Sequence, residues 1–176
     1  GDQSNEKPSG VLRNRTKRLG DIVNSDPFFV SGATAGTGTL YIGANDGMLH
    51  AFNAQTGVEK FAYIPKAVFS NLSSLPDPAY NHRYFVDGSP IVQKLHDNRL
   101  ILLGTTGAGG RSVFALNVTD PNNLSASNVL WEFTNENSAD LGYTIGQPSI
   151  GRLKNGTWVA VFGNGYKSDS GKAFLF

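Results

Sequence analysis

Three histidines, no cysteine and a few serines beside glycine set the outer limit of the chemistry this chain can do. His50, His82 and His96 are 32 and 14 residues apart, which matches no common zinc spacing. His50 falls inside an apolar run with strand character and the other two fall in polar stretches, so no shared metal site is expected. The lack of cysteine removes thiolate ligands, disulfides and cysteine nucleophiles together. A Ser/His/Asp triad usually presents its serine on a sharp turn of the form Gly-x-Ser-x-Gly. Ser89 instead sits in Gly88-Ser89-Pro90, a phrase that marks the start of a repeat, and a structural role accounts for it.

Two loops come closer to ligand-binding patterns. The run Gly104-Thr105-Thr106-Gly107-Ala108-Gly109-Gly110-Arg111-Ser112 resembles a phosphate-binding loop. However, Thr105 stands where the first glycine belongs and Arg111 where the lysine belongs. The residues that follow, Val113 to Val118, read as strand, so no helix terminus would face a phosphate. A hairpin turn is the expected structure. Asn135-Glu136-Asn137-Ser138-Ala139-Asp140 is the nearest approach to a calcium loop, and Ala139 breaks the alternation of oxygen donors that such a loop needs. It reads as a polar loop. Asn-x-Ser/Thr triplets at Asn14, Asn71, Asn117, Asn123 and Asn155 are frequent in a chain of this composition and receive no role. The residues therefore nominate no catalytic, cofactor-binding or metal-binding position, and no enzymatic activity is expected.

The elements that would hold these residues follow from composition and pattern. The chain has 176 residues, 39% hydrophobic and only 16% charged, with 21 glycines and 8 prolines. Low charge leaves little material for solvated helix faces, and abundant glycine implies many turns. A formal net charge of +1 offers no electrostatic case for nucleic acid. No run approaches the ~20 apolar residues of a membrane span. The first 20 residues are different: Lys7, Arg13, Arg15, Lys17 and Arg18 against Asp2 and Glu6 give a local charge of +3. They read as a basic leader or linker, and no export signal is recognisable in them.

One unit recurs three times. It opens at Ser25-Asp26-Pro27, Gly88-Ser89-Pro90 and Gly146-Gln147-Pro148, with the prolines 63 and 58 residues apart. A strand follows that ends in glycine: Leu40-Tyr41-Ile42-Gly43, then Leu100-Ile101-Leu102-Leu103-Gly104, then Trp158 to Gly163. The proline-to-glycine spacings are 16, 14 and 15. After a tight turn, of which Asn45-Asp46-Gly47 is the clearest, come Leu49 to Asn53, Val113 to Asn117 and Ala173 to Phe176. Lys60 to Ile64 and Val129 to Phe133 supply a fourth strand to the first two units. Four antiparallel strands repeated radially make a propeller blade. Pro65 to Leu75, with Val68, Leu72 and Leu75 on one face, reads as a short helix inserted at the blade edge.

The expected fold is thus all-β. It is a partial, modified β-propeller of about three four-stranded antiparallel blades, the last incomplete, with one short inserted helix. Residues 1–20 form the leader and 21–176 the leading blades, with repeat starts near 25, 88 and 146. The third unit reads as stopping in its third strand, so the remainder of the propeller is an expected partner. Tyr41, Phe52, Phe61, Tyr63, Phe114, Trp131, Phe133, Trp158 and Phe162 recur at equivalent places and are expected to pack between blades rather than to cage a ligand.

Several longer phrases carry a resemblance. They are Leu19-Gly20-Asp21-Ile22-Val23-Asn24-Ser25, Gly43 to Asn53, Tyr84-Phe85-Val86-Asp87-Gly88-Ser89-Pro90, and Gly107-Ala108-Gly109-Gly110-Arg111 with Val113 to Leu116. Thr119-Asp120-Pro121, Trp131-Glu132-Phe133, Leu141 to Pro148 and Phe162-Gly163-Asn164-Gly165-Tyr166 continue the series in order. Together they resemble the C-terminal propeller of the type IV pilus tip-associated adhesins, the PilC/PilY family. The resemblance implies an exported bacterial protein of the cell surface, at the pilus tip and outer membrane. It implies a role in pilus biogenesis by opposing retraction, in twitching motility and in adhesion, with minor pilins and a host-cell or surface receptor as partners. It also implies a calcium loop in the full-length protein. No stretch here matches that loop, so no calcium ligand is assigned and no cofactor is expected within these residues.

Two other propeller classes share part of the pattern. Quinoprotein dehydrogenases carry similar Asp-Gly and Thr-Gly phrases, which Gln55-Thr56-Gly57 and Glu59 fit. The second unit replaces Thr-Gly with Thr119-Asp120-Pro121, and no paired cysteines flank a cofactor. Propellers of outer-membrane assembly share the repeat but not the longer phrases.

Overall fold

The computed structural model describes residues 5, 6, 8, 10–15 and 17–176. Lys7 and Asp2 of the basic leader lie outside the described residues. The first sheet is built from β1 (Phe28–Ser31), β2 (Gly38–Gly43), β3 (Leu49–Asn53) and β4 (Glu59–Tyr63). The second contains β5 (Ile91–Lys94), β6 (Leu100–Thr105), β7 (Ser112–Asn117) and β8 (Val129–Thr134). In both, the strands lie side by side in chain order, and every pair is antiparallel. These are two complete blades. The third unit holds the antiparallel pair β9 (Ser149–Arg152) and β10 (Trp158–Val161).

The sequence fixes the second, third and fourth strands of a blade by their glycine boundaries. The structure adds the opening strand, which starts directly after Pro27 and after Pro90. The expected third strand of the last unit, Ala173 to Phe176, does not form as a regular strand. It is held by the isolated bridge Gly163↔Leu175 and by reciprocal backbone bonds between Phe162 and Phe176 (3.1 and 2.9 Å). Upstream of it, Asn164 turns its side chain onto the backbone of Asp140 and Lys172 (2.9 and 2.8 Å), which holds the intervening residues as a loop.

Burial follows the order of strands within a blade. Central strands are covered on both faces, so Ile101 to Leu103 and Val113 to Leu116 read as unbroken apolar runs and are buried throughout. One cluster joins β2 and β3 of the first blade (Tyr41, Leu49, Ala51) to β6 and β7 of the second (Leu102, Phe114, Leu116). Another joins Val113 and Leu141 to Phe162 in the third unit, with Phe133 and Phe176 against them. Tyr41, Phe114 and Phe162 therefore pack as expected, with Phe61, Tyr63 and Phe133 partly buried beside them. Trp131 differs. It is 38% exposed because β8 is the outer edge strand of its sheet. Phe52 and Trp158 stack on His50 and His96 instead of entering either cluster.

The phrases that open the first and second units bond to one another. Asn24 donates from its backbone and side-chain nitrogens to the buried Asp87 carboxylate (3.2 and 2.7 Å). Ser25 donates its hydroxyl to the Gly88 carbonyl (3.0 Å) and accepts from the Gly43 amide (2.9 Å). The Asp26 amide donates to Ser89 Oγ (2.9 Å). The first two of these phrases thus recur for a physical reason, since the start of the first unit clasps the start of the second. Ser89 spends its hydroxyl on this clasp, consistent with its structural reading.

The insert after β4 is helical but tight. Lys66–Ser74 is a 3-10 helix, closed by three-residue bonds from Val68 to Pro65 (3.1 Å) and from Leu75 to Leu72 (3.0 Å). Four Ser and Asn residues within it favour competing local bonds, which disfavours a longer α-helix. Val68 is fully buried, and Leu72 lies over the β2–β3 turn. There Gly47 adopts φ +97°, and a Cβ at that position would stand 2.5 Å from the Leu72 side chain. Glycine is required at Gly47 twice over, by backbone and by packing.

Candidate functional site

The three histidines occupy three separate places. His96 lies in the β5–β6 turn, where it accepts a bond from Trp158 Nε1 (3.0 Å) and stacks on that ring. His82 precedes the second blade and binds Asp21 (2.7 Å). His50 lies in β3. Among the described residues, no three His, Asp or Glu side chains gather in a way that would hold a metal ion.

His50 is nonetheless an unusual group. It is 3% exposed, and both ring nitrogens meet carboxylates: Nδ1 is 2.5 Å from Glu59, and Nε2 is 3.1 Å from Asp46. A neutral imidazole has one N–H, so two carboxylate partners require the imidazolium. Burial pushes its pKa down, but the bonds and charges of Asp46 and Glu59 outweigh it, and the net direction is up. The sequence reading missed this trio because a register shift creates it. Pairing runs Ala51↔Phe61 and then Phe52↔Glu59, so Lys60 is bulged out of the ladder. Plain alternation would place Lys60 beside His50. The bulge sends Lys60 to Thr39 Oγ1 (2.8 Å) and brings a carboxylate to the imidazole in its place. The same shift recurs in the second blade between Ala115 and Leu116. Phe114 occupies the histidine's position there, so the charged trio belongs to the first blade alone.

The trio anchors the segment that leads into the propeller. Asp46 Oδ2 accepts from the Gly20 amide (2.8 Å), and the Asn45 amide donates to the Asp21 carbonyl (3.0 Å). Asp21 also accepts from the Asn45 side chain (3.0 Å). Burial raises the Asp21 pKa, but the bonds from Asn45 and His82 more than reverse it, so the carboxyl is held below its ordinary value. Further upstream, the Arg13 amide donates to the Pro76 carbonyl (2.7 Å), its guanidinium lies 4.0 Å from the Tyr80 ring centroid, and Arg15 pairs with Glu6 (3.3 Å). Several charges of the basic leader are therefore spent on internal contacts.

The glycine-rich run forms the turn expected of it. It crosses from β6 through a short 3-10 turn (Gly107–Gly109) straight into β7. Gly107 has φ +56°, and a Cβ there would meet the Gly88 backbone nitrogen at 2.8 Å, so its glycine serves the joint between units. In the polar loop after β8, Asn137 turns inward to cap the Thr134 amide (2.8 Å).

Beside that turn lies a cleft of about 440 Å³ between the blades. The 3-10 helix supplies Lys66, Phe69 and Asn71 to it, the glycine-rich turn supplies Arg111, and the loop after β8 supplies Asn135 and Glu136. Its walls are tied down from behind. Glu132 accepts from the Lys66 amide (3.0 Å) and from the Tyr63 hydroxyl. Burial and the Glu132 carboxylate both push the Tyr63 pKa up, which keeps the hydroxyl a donor. Arg111 is fixed by Asp169 (2.7 Å) and lies over the Tyr143 ring (5.7 Å). The sequence reading singled out two of its walls, the glycine-rich run and the loop from Asn135, as separate loops without a ligand role, and did not bring them together with the insert after Pro65.

Comparison with known proteins gives the frame for these features. A family profile described as the PilY1 beta-propeller domain matches residues 19–174. A type IV pilus biogenesis factor PilY1 homolog of Xylella fastidiosa is 51% identical over 78% of this chain. Type IV pilus biogenesis factor PilY1 of Pseudomonas aeruginosa is 43% identical over 93% of it. The chain spans only 9% and 16% of those two proteins. The crystal structure of the Pseudomonas aeruginosa PilY1 C-terminal domain superposes with a TM-score of 0.63 at 43% identity, over 79% of this chain and 27% of that one. The antiparallel blades, the clasp between the first two unit starts and these matches lead to one conclusion: the chain belongs to the PilY1 β-propeller family of type IV pilus biogenesis factors.

Proposed function

We propose that these blades form part of the binding scaffold of a type IV pilus biogenesis factor, which sits at the bacterial cell surface and pilus tip. There it engages minor pilins, opposes pilus retraction and mediates attachment to a surface or host cell. The observation that carries this reading is the ordered match of residues 19–174 to the propeller domain of pilus biogenesis factors.

The internal chemistry supports a scaffold rather than a catalyst. Asp46, Glu59, Asp87 and Glu132 each hold backbone or side-chain donors that join one segment to another. A propeller also presents many loops on a rigid frame, which suits broad protein contact. The central test is biochemical. Pili sheared from the producing cells should carry the parent protein, and crosslinking should join it to minor pilins. Recovery only from the cytoplasm, with no crosslink to any pilin, would overturn the reading.

A further inference from the structure

We propose that the cleft between the Lys66–Ser74 helix, the glycine-rich turn and the loop after β8 binds a neutral hexopyranose of a larger saccharide. This rests on the surface location proposed above, because only there would such a ligand be met. At about 440 Å³ the cleft falls within the range of small-molecule sites.

Its chemistry selects among ligands. The two cations in its walls are each matched by a carboxylate: Lys66 by Glu136 (3.0 Å) and Arg111 by Asp169 (2.7 Å). Balanced charge gives a phosphate or a sialic acid no net attraction. Two planar amides remain uncommitted, since the side chains of Asn71 and Asn135 meet no hydrogen-bond partner among the described residues. Each offers two donors and an acceptor, which is what adjacent sugar hydroxyls require, since every hydroxyl both gives and takes a bond. Phe69 is 57% exposed at the cleft and supplies a flat apolar surface for the C–H face of a pyranose ring. The bonds that fix the Lys66 backbone and Arg111 hold the walls in place before any ligand arrives, which lowers the cost of binding.

The test uses the full parent protein on an array of immobilised neutral animal-cell oligosaccharides, their sialylated counterparts and bacterial polysaccharides. Neutral hexose-bearing spots should bind, and the class that binds identifies the source. Phe69→Ala and Asn135→Ala should each reduce binding at least about tenfold, roughly the loss of one good contact. Both side chains are exposed, so the melting temperature should not change. A blank array, binding confined to sialylated spots, or equal binding by both variants would overturn the proposal. Pilus number in cells carrying Phe69→Ala separates the two readings. Normal piliation beside a blank array removes the saccharide site and leaves the pilus role intact. Pili that do not depend on the gene at all remove the pilus role itself.

Discussion

The His50 trio predicts a pH-dependent hold on the segment entering the propeller. Because its folded pKa is raised, the stabilisation is fully present below the unfolded value of about 6.5. It is lost as pH rises through the folded pKa. Deprotonation leaves one N–H for two carboxylates, so one charge-assisted bond fails, either to Glu59 (2.5 Å) or to Asp46 (3.1 Å). Such a bond contributes about 1.5–3 kcal/mol when buried. The Glu59 side chain is 47% exposed, so solvent screening brings the expectation to about 1–2 kcal/mol. That corresponds to roughly a 5–30-fold rise in the opening of the segment. Among the described residues, Arg18 is the cation that lines the recess beside the trio, and a positive charge there acts in the opposite sense to the carboxylates. The assay is hydrogen exchange at the Gly20 amide, corrected for base catalysis, alongside nuclear magnetic resonance titration of the His50 ring. Protection should fall as pH rises above about 6.5, with a midpoint tracking the ring. His50→Gln should abolish the dependence. Flat protection across that range, or a ring titrating below about 6.5, would refute the reasoning.

Three further outcomes follow from the packing. Phe114→Ala removes a fully buried ring between two blades and should cost about 3–5 kcal/mol, read by chemical denaturation. Gly47→Ala and Gly57→Ala both place a side chain at positive φ, but only Gly47 meets a neighbour, Leu72 at 2.5 Å. Both should destabilise by about 1 kcal/mol, and Gly47→Ala by at least about 1 kcal/mol more. Asp87→Ala leaves the Asn24 donors without their acceptor and should cost about 1–3 kcal/mol, with exchange rising first at Asn24 and Ser25.

The fold was legible in the sequence because its repeat is local. Glycines that end strands and prolines that start units lie at nearly constant spacing, and continuous apolar runs such as Ile101 to Leu103 mark strands buried on both faces. The opening strands were harder to bound, since Phe28 to Ser31 and Ile91 to Lys94 are short and lie half-exposed. The insert after Pro65 carried a helix-face pattern, but it is a 3-10 helix, and its three serines and one asparagine favour competing local bonds over a longer α-helix. The charged trio could not be read from alternation, because one bulged lysine reverses which neighbour faces His50. The same bulge recurs between Ala115 and Leu116 in the second blade, so it belongs to the blade architecture and not to any one residue. The cleft was legible only in pieces: the glycine-rich run and the loop from Asn135 stood out in the sequence, but the packing of one blade on the next is what assembles them into one site.

The central claim is that these blades belong to a factor that opposes pilus retraction. Its most direct test is to delete the parent gene and count surface pili by electron microscopy, with the retraction motor present and absent. The account predicts that pili are lost in the single deletion and return when the motor is also removed. Unchanged pili in the single deletion, or pili that stay absent without the motor, would contradict it.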